Sequence, residues 1–161
     1  MPSLAITLAV DDEAQRRFGE ACARWSATPP PARVTLFREL PADLEKEIRV
    51  DLVGTAGPPF PIGVAGVLPT PSGVAYAIAS PELVHRHHDL QMAWWADLTP
   101  IDRRPLRPHV VVLRDVPAAE ARAAYNVMRR EFRAHQIRAD GYVLWRADDP
   151  DWTELAQVPF A

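Results

Sequence analysis

One cysteine, Cys22, is all that the 161 residues contain, so there is no partner for an intramolecular disulfide and no cysteine pair for a zinc site. That usage suits a reducing compartment, and a cytoplasmic location is the expectation. A long apolar run is also missing. Leu4 to Val10 stops at Asp11 and Asp12 with no basic segment ahead of it, which fits neither a membrane span nor a signal peptide. Excess positive charge is missing too: a formal charge of -3 and a pI near 5.9 argue against duplex-DNA binding, which relies on a broad basic face, yet leave room for a small basic pocket. Lysine is nearly absent, Lys46 being the only one, so the cations are arginines. Coding bias accounts for most of that usage, although the guanidinium fork also suits phosphates. No low-complexity linker interrupts the chain, and its 48% hydrophobic share is enough for a core, so residues 1–161 are expected to form one domain.

The pattern of apolar and turn residues predicts alternating strands and helices. Leu4 to Val10 reads as a buried strand, and Asp12 with Gln15 three residues on resembles a capping box opening a helix. Ala14, Phe18, Ala21, Cys22 and Trp25 give that helix one apolar stripe, which makes Cys22 core rather than nucleophile. Pro29, Pro30 and Pro31 end it. Arg33 to Arg38 reads as a strand, followed after Pro41 by a short charged helix through Ile48 and a loop around Gly57 to Pro61. Ile62 to Leu68 and Val74 to Ala79 flank a turn and should pair. Ser80 and Pro81 supply an N-cap and first-turn proline for a helix to about Asp97, with Leu83, Leu90 and Trp94 on one side. His109 to Arg114 is the next strand, Ala121, Ala124, Tyr125, Met128 and Phe132 mark an amphipathic helix, and Gly141 to Arg146 with Thr153 to Phe160 form a closing hairpin. Antiparallel pairs mixed with packed helices point to the α+β class.

Two of these strands echo one another. Arg33-Val34-Thr35-Leu36-Phe37-Arg38-Glu39-Leu40-Pro41 and His109-Val110-Val111-Val112-Leu113-Arg114-Asp115-Val116-Pro117 share valine, arginine and proline in register. Each is followed by a helix, as expected of two half-domains facing each other across a pseudo-twofold axis. Alternation puts Arg33 and Thr35 on one face of their strand and His109 and Val111 on one face of theirs. If the halves are so related, these faces meet in one shared, phosphate-sized groove.

These residues resemble the two-histidine (2H) phosphoesterase superfamily, and within it the bacterial proteins named 2′-5′ RNA ligase or RNA 2′,3′-cyclic phosphodiesterase. Members carry two His-x-Thr motifs in duplicated lobes, the first in a Pro-Pro-His-Val-Thr-Leu-Phe context. Here the matches are Pro30-Pro31-Ala32-Arg33-Val34-Thr35-Leu36-Phe37 and Arg107-Pro108-His109-Val110-Val111-Val112-Leu113, and the likeness extends from the opening strand and helix to Leu144-Trp145-Arg146 and Pro159-Phe160. The resemblance implies two pseudo-symmetric lobes whose antiparallel sheets form a central groove with helices outside. It also implies a nucleotide or single-stranded RNA end as ligand, and no cofactor or metal. Carried over residue by residue, His109 keeps an acid or base role and Thr35 a phosphate contact.

Both motifs depart from the family. Arg33 replaces the first histidine and Val111 the second threonine. A guanidinium, whose pKa lies above about 12, grips phosphate but does not shuttle protons. One of two acid-base groups is worth roughly 10²- to 10⁴-fold in rate, so the expectation is a phosphodiester-binding protein with weak or altered phosphoesterase activity, whether cyclic-phosphate hydrolysis or 2′-5′ ligation. The alternative is an inactive binding or interaction module on the same scaffold. Arg33, Thr35 and Arg107 are the candidate phosphate contacts, His109 the candidate catalytic group, and Tyr76 and Trp145 candidate platforms for base stacking. Arg103 and Arg104 belong to the same basic loop as Arg107. His85, His87 and His88 read as a surface-helix cluster rather than metal ligands, with His87 a hydrogen-bonded boundary residue.

Overall fold

The computed structural model describes residues 2–148 and 150–161. In chain order the elements are β1 (Ser3–Val10), α1 (Asp12–Trp25), β2 (Val34–Pro41), α2 (Glu45–Thr55), β3 (Phe60–Thr70), β4 (Gly73–Ala79), α3 (Pro81–Trp94), β5 (His109–Leu113), α4 (Ala118–Glu131), β6 (His135–Ala147) and β7 (Trp152–Pro159). Short 3₁₀ turns at Ala42–Leu44 and Trp95–Asp97 lead into α2 and out of α3.

The order β-α-β-α-β therefore occurs twice, as β1 to β3 with α1 and α2, then as β4 to β6 with α3 and α4. Every strand pair is antiparallel, and the pairing repeats the duplication. β1 pairs with β2 and β6, and its counterpart β4 pairs with β5 and β3. At the two seams β2 meets β5 and β3 meets β6. Exchanging the halves maps this set of pairs onto itself, so the six strands close into a ring about a pseudo-twofold axis. β7 adds to β6 along Gly141–Ala147.

Local chemistry starts the helices where the sequence predicts, with one shift. Asp11 rather than Asp12 is the N-cap of α1: one carboxylate oxygen accepts from the Ala14 N–H at 2.9 Å and the other from the Arg138 N–H at 2.8 Å, fixing the helix start to β6. Gln15 does not close a capping box; its amide donates to the Ala32 carbonyl instead. Ser80 caps α3 through the Leu83 N–H, with Pro81 in the first turn. α2 runs past Ile48 to Thr55 because Ile48 and Leu52, one turn apart, are both fully buried.

Helices cover one face of the ring and leave the other to form the groove. Cys22 of α1 and Ala124 and Met128 of α4 pack on Val74, Val112 and Leu113. α2 and α3 bury Ile48, Leu52, Leu83 and Leu90 in one core with Leu4, Ile6 and Phe37. Phe37 stacks on His87 at 4.5 Å and meets Trp94 edge-on at 5.2 Å, and the Trp94 Nε1–H donates to Asp51 at 2.8 Å, tying α3 to α2. No helix among the described residues is long and apolar enough to cross a membrane.

Candidate functional site

The seam between β2 and β5 is registered by one residue pair, Val34 with Val110. Both are buried on the helix side, so their chain neighbours turn to the groove. Because the strands run antiparallel about that pair, His109 comes to lie across from Thr35, and Arg33 across from Val111. Each half of the site thus combines one residue from each motif. His109 and Thr35 are neighbours, and so are Arg33 and Val111. Ala77 beside His109, Ala75 beside Val111, and Thr7 beside Thr35 continue the face with small side chains.

Thr35, His109 and Arg107 line one hollow of about 420 Å³ together with Arg38 and Arg104. The loop that carries Arg104 and Arg107 is fastened from below. The buried Asp102 carboxylate accepts the backbone N–H groups of Arg38 and Glu39 at 2.9 and 2.8 Å, and the Gln91 amide donates to the carbonyls of Asp102 and Arg104 at 2.9 and 2.7 Å. Burial raises the Asp102 pKa, opposed by those two backbone bonds. The His109 ring is oriented by its own loop: Nδ1 lies 2.7 Å from the Arg107 carbonyl oxygen. A carbonyl only accepts, so Nδ1 carries a proton, and Nε2 is left as the acceptor nitrogen of the neutral ring. At the back of the hollow, the buried His87 donates through Nε2 to the Leu36 carbonyl at 3.0 Å. Burial holds its pKa below the ordinary value, so it stays neutral and structural.

Arg33 lines a second hollow, of about 660 Å³, with Thr7, Gln15, Trp145, Glu154 and Gln157. Its guanidinium lies 4.4 Å from the ring centre of Trp145 and 4.6 Å from that of Trp152. The Trp145 Nε1–H donates to the Thr7 hydroxyl at 2.9 Å, which sets the plane of that indole. Burial lowers the Arg33 pKa, and the charge of nearby Arg114 lowers it further. Among the described residues, none of Arg33, Arg38, Arg104, Arg107 and Arg114 is in an ion pair.

Arg33, Thr35 and His109 share one groove face, on which Thr35, Arg107 and His109 line one hollow and Arg33 and Trp145 line the adjoining one, bordered by Thr7 beside Thr35. Tyr76 belongs to neither. It pairs with Val110 and shares that residue's buried face, where its ring packs on Phe18 and Phe132 at 6.0 Å each. Arg103 also points elsewhere, its guanidinium lying over Trp95. His85 is an exposed partner of Asp89. Sequence reasoning did not single out Arg38, Arg114 and Trp152. For the two arginines a signal was present, since they recur in register in the echoed strands; Trp152 enters only through the β6–β7 pairing.

No family model matches the chain, and no curated protein matches it. Solved structures do. TT0787 of Thermus thermophilus is 17% identical over 98% of this chain and 97% of its own, with a TM-score of 0.73. E. coli LigT in apo form is 15% identical over 99% and 98%, with a TM-score of 0.68, and LigT complexed with 3′-AMP is 17% identical over 100% and 99%, with a TM-score of 0.64. At these identities the likeness is one of fold. The chain has the α+β fold of LigT and TT0787 along nearly its whole length, and the resemblance to 2H phosphoesterases carried by the two motifs holds at that level.

Proposed function

We propose that this chain is a 2H-type phosphodiester-binding protein in which one half of a two-part acid-base site works, giving slow phosphoesterase activity on 2′,3′-cyclic phosphates or related esters. The observation that carries the reading is the cross-match of His109 with Thr35 in a hollow bordered by Arg38, Arg104 and Arg107. Hydroxyl and guanidinium groups hold phosphate oxygens, and charge-assisted bonds of this kind are strong and directional. His109 Nε2, unprotonated in its resting tautomer, takes a proton from water as its oxygen attacks phosphorus. The departing ribose oxygen has no matching histidine to protonate it, because Arg33 stands at the corresponding place. The fold-level relative LigT has been seen complexed with 3′-AMP, which supports a nucleotide as ligand.

Incubation with 2′,3′-cyclic nucleotides tests this reading. The expected result is turnover well below that of a two-histidine enzyme, cut by at least about 10²-fold in His109→Ala. Binding that stabilises the fold without any turnover would establish the alternative, a non-catalytic module. Fast turnover that survives His109→Ala would refute both.

A further inference from the structure

We infer that Thr7 is a second phosphate-holding hydroxyl, set by the Trp145 indole, and that it supplies from β1 the contact that Val111 on β5 does not make. This contact deepens the reading above and rests on it for the phosphate held at His109 and Thr35.

Thr7 is out of place by composition. It is the only polar side chain in Leu4-Ala5-Ile6-Thr7-Leu8-Ala9-Val10, and it is buried. A hydroxyl taken out of water needs hydrogen-bond partners. Among the described residues the other buried polar side chains are Ser80, His87, Gln91 and Asp102, and each is bound to backbone. Ser80 caps α3, His87 meets the Leu36 carbonyl, Gln91 holds two loop carbonyls and Asp102 accepts from two N–H groups of β2. Thr7 binds no backbone through its side chain. Its partner is the Trp145 Nε1–H, which occupies a lone pair of Oγ1 and leaves the hydroxyl proton without an acceptor among the described residues.

Register places that donor beside the phosphate. Thr7 pairs with Thr35, Thr35 lies across from His109, and His109 pairs with Ala77, so three polar side chains form one row over β1, β2 and β5 on the groove face. Neighbours in such a row stand about 4.5–5.5 Å apart at Cβ. A phosphorus centred over Thr35 is therefore within reach of the Thr7 hydroxyl on one side and the His109 ring on the other. Thr7 lines the hollow that adjoins that of His109, so its hydroxyl is shielded but not sealed. The pseudo-twofold axis carries Thr7 and Thr35 onto Ala75 and Val111, which have no hydroxyl. The two non-bridging oxygens of a phosphodiester thus each meet a hydroxyl, and both hydroxyls come from one half. By donating into Oγ1, Trp145 polarises the Thr7 O–H toward its anionic acceptor, as chained hydrogen bonds do. Thr7 is a binding residue, and Trp145 a positioning residue that acts through it.

Affinity for 3′-AMP and kcat/KM on 2′,3′-cyclic AMP test the contact. Thr7→Val, of nearly the same shape, should weaken 3′-AMP binding and lower kcat/KM by about 10-fold or more, while Thr7→Ser, which keeps the hydroxyl, should stay within about threefold of the native chain. Thr7→Ala, which copies Ala75 of the other half, is a second hydroxyl-free variant with the same expectation as Thr7→Val. If Thr7 only braces Trp145, the hydroxyl-free variants will be less stable in urea but unchanged in affinity and kcat/KM, and the inference fails. Stereochemistry adds a readout that a structural role does not move. The two diastereomers of adenosine 2′,3′-cyclic phosphorothioate carry sulfur at one or the other non-bridging position, so Thr7→Val should slow one by about 10-fold and the other by less than about threefold. Equal losses for both would overturn the contact. Trp145→Phe should cost less than Thr7→Val and add nothing to it, whereas additive losses would remove Trp145 from the chain of bonds. Thr7-dependent binding of 3′-AMP without turnover would uphold the hydroxyl contact and reject the phosphoesterase reading, and turnover untouched by Thr7→Val would do the reverse.

Discussion

At the scale of single residues, the site is defined by which atoms can move a proton. On the proposed reading His109, held with Nδ1–H on the Arg107 carbonyl, works through Nε2, while the Arg33 guanidinium serves only to bind. A base without its acid has a recognisable kinetic signature. Esters with good leaving groups, such as p-nitrophenyl nucleotide phosphates, need no protonation of the departing oxygen, so their kcat should exceed that for cyclic phosphates by at least about 10²-fold. The pH profile of kcat/KM should show one limb rather than a bell, because Arg33 supplies no second acid-base group. A bell-shaped profile would mean that another acid has been recruited. His87 makes the opposite case, a histidine kept out of chemistry by burial. Its folded pKa is lowered, so the unfolded chain binds the extra proton, and stability is lost as pH falls from about 6.5 toward the lower, folded value. Each proton so coupled is worth about 1.4 kcal/mol per pH unit. Urea titrations from pH 7.5 to 5 should show a shallower loss in His87→Gln, which retains a donor for the Leu36 carbonyl but does not titrate in that range.

At the scale of elements, the site depends on how tightly β4 lies against β5. Gly73 begins β4, and a Cβ there would sit 1.7 Å from the Leu113 carbonyl oxygen and 2.5 Å from its carbon, both backbone atoms that cannot step aside. Gly73→Ala must push the strands apart where Arg114 leaves β5, at a cost of roughly 3 kcal/mol or more by chemical denaturation. Gly19 gives the control: it lies in α1 with open space around its Cβ position, and Gly19→Ala should stabilise by about 1 kcal/mol. Equal effects at the two positions would contradict the close packing of β4 on β5. The helix start signals were legible because they are local. Ser80, Pro81 and the stripe of α1 lie within a few residues of what they cap or bury, and the one-residue shift from Asp12 to Asp11 arose because Asp11 also binds the Arg138 N–H, 127 residues away.

At the scale of the whole molecule, the duplication decides which residues meet at the seam. Two copies of β-α-β-α-β exchange strands about one axis, and at the seam the register crosses the motifs, so that the partner of His109 is Thr35 and the partner of Arg33 is Val111. Introducing the residues of the 2H motifs must therefore be done in pairs. Arg33→His with Val111→Thr should raise kcat on 2′,3′-cyclic nucleotides by about 10²- to 10⁴-fold, and either change alone by much less, a coupling that a double-mutant cycle measures directly. Additive gains from the two single variants would mean that the pair does not act as a unit.

The sequence by itself determined the α+β pattern, the echo of two strands, the burial of Cys22 and the identity of the groups that face away from the core. All of these follow from periods of 2 and 3.6 residues and from the chemistry of caps and prolines. Only the tertiary structure decided that Thr35 is the neighbour of His109 across the seam, that Tyr76 turns inward onto Phe18 and Phe132, and that Trp152 joins Trp145 around a guanidinium. The reason is register. Alternation along a strand fixes which face a side chain takes, but the partner across the seam is set by packing between segments 76 residues apart, and no local period carries that information.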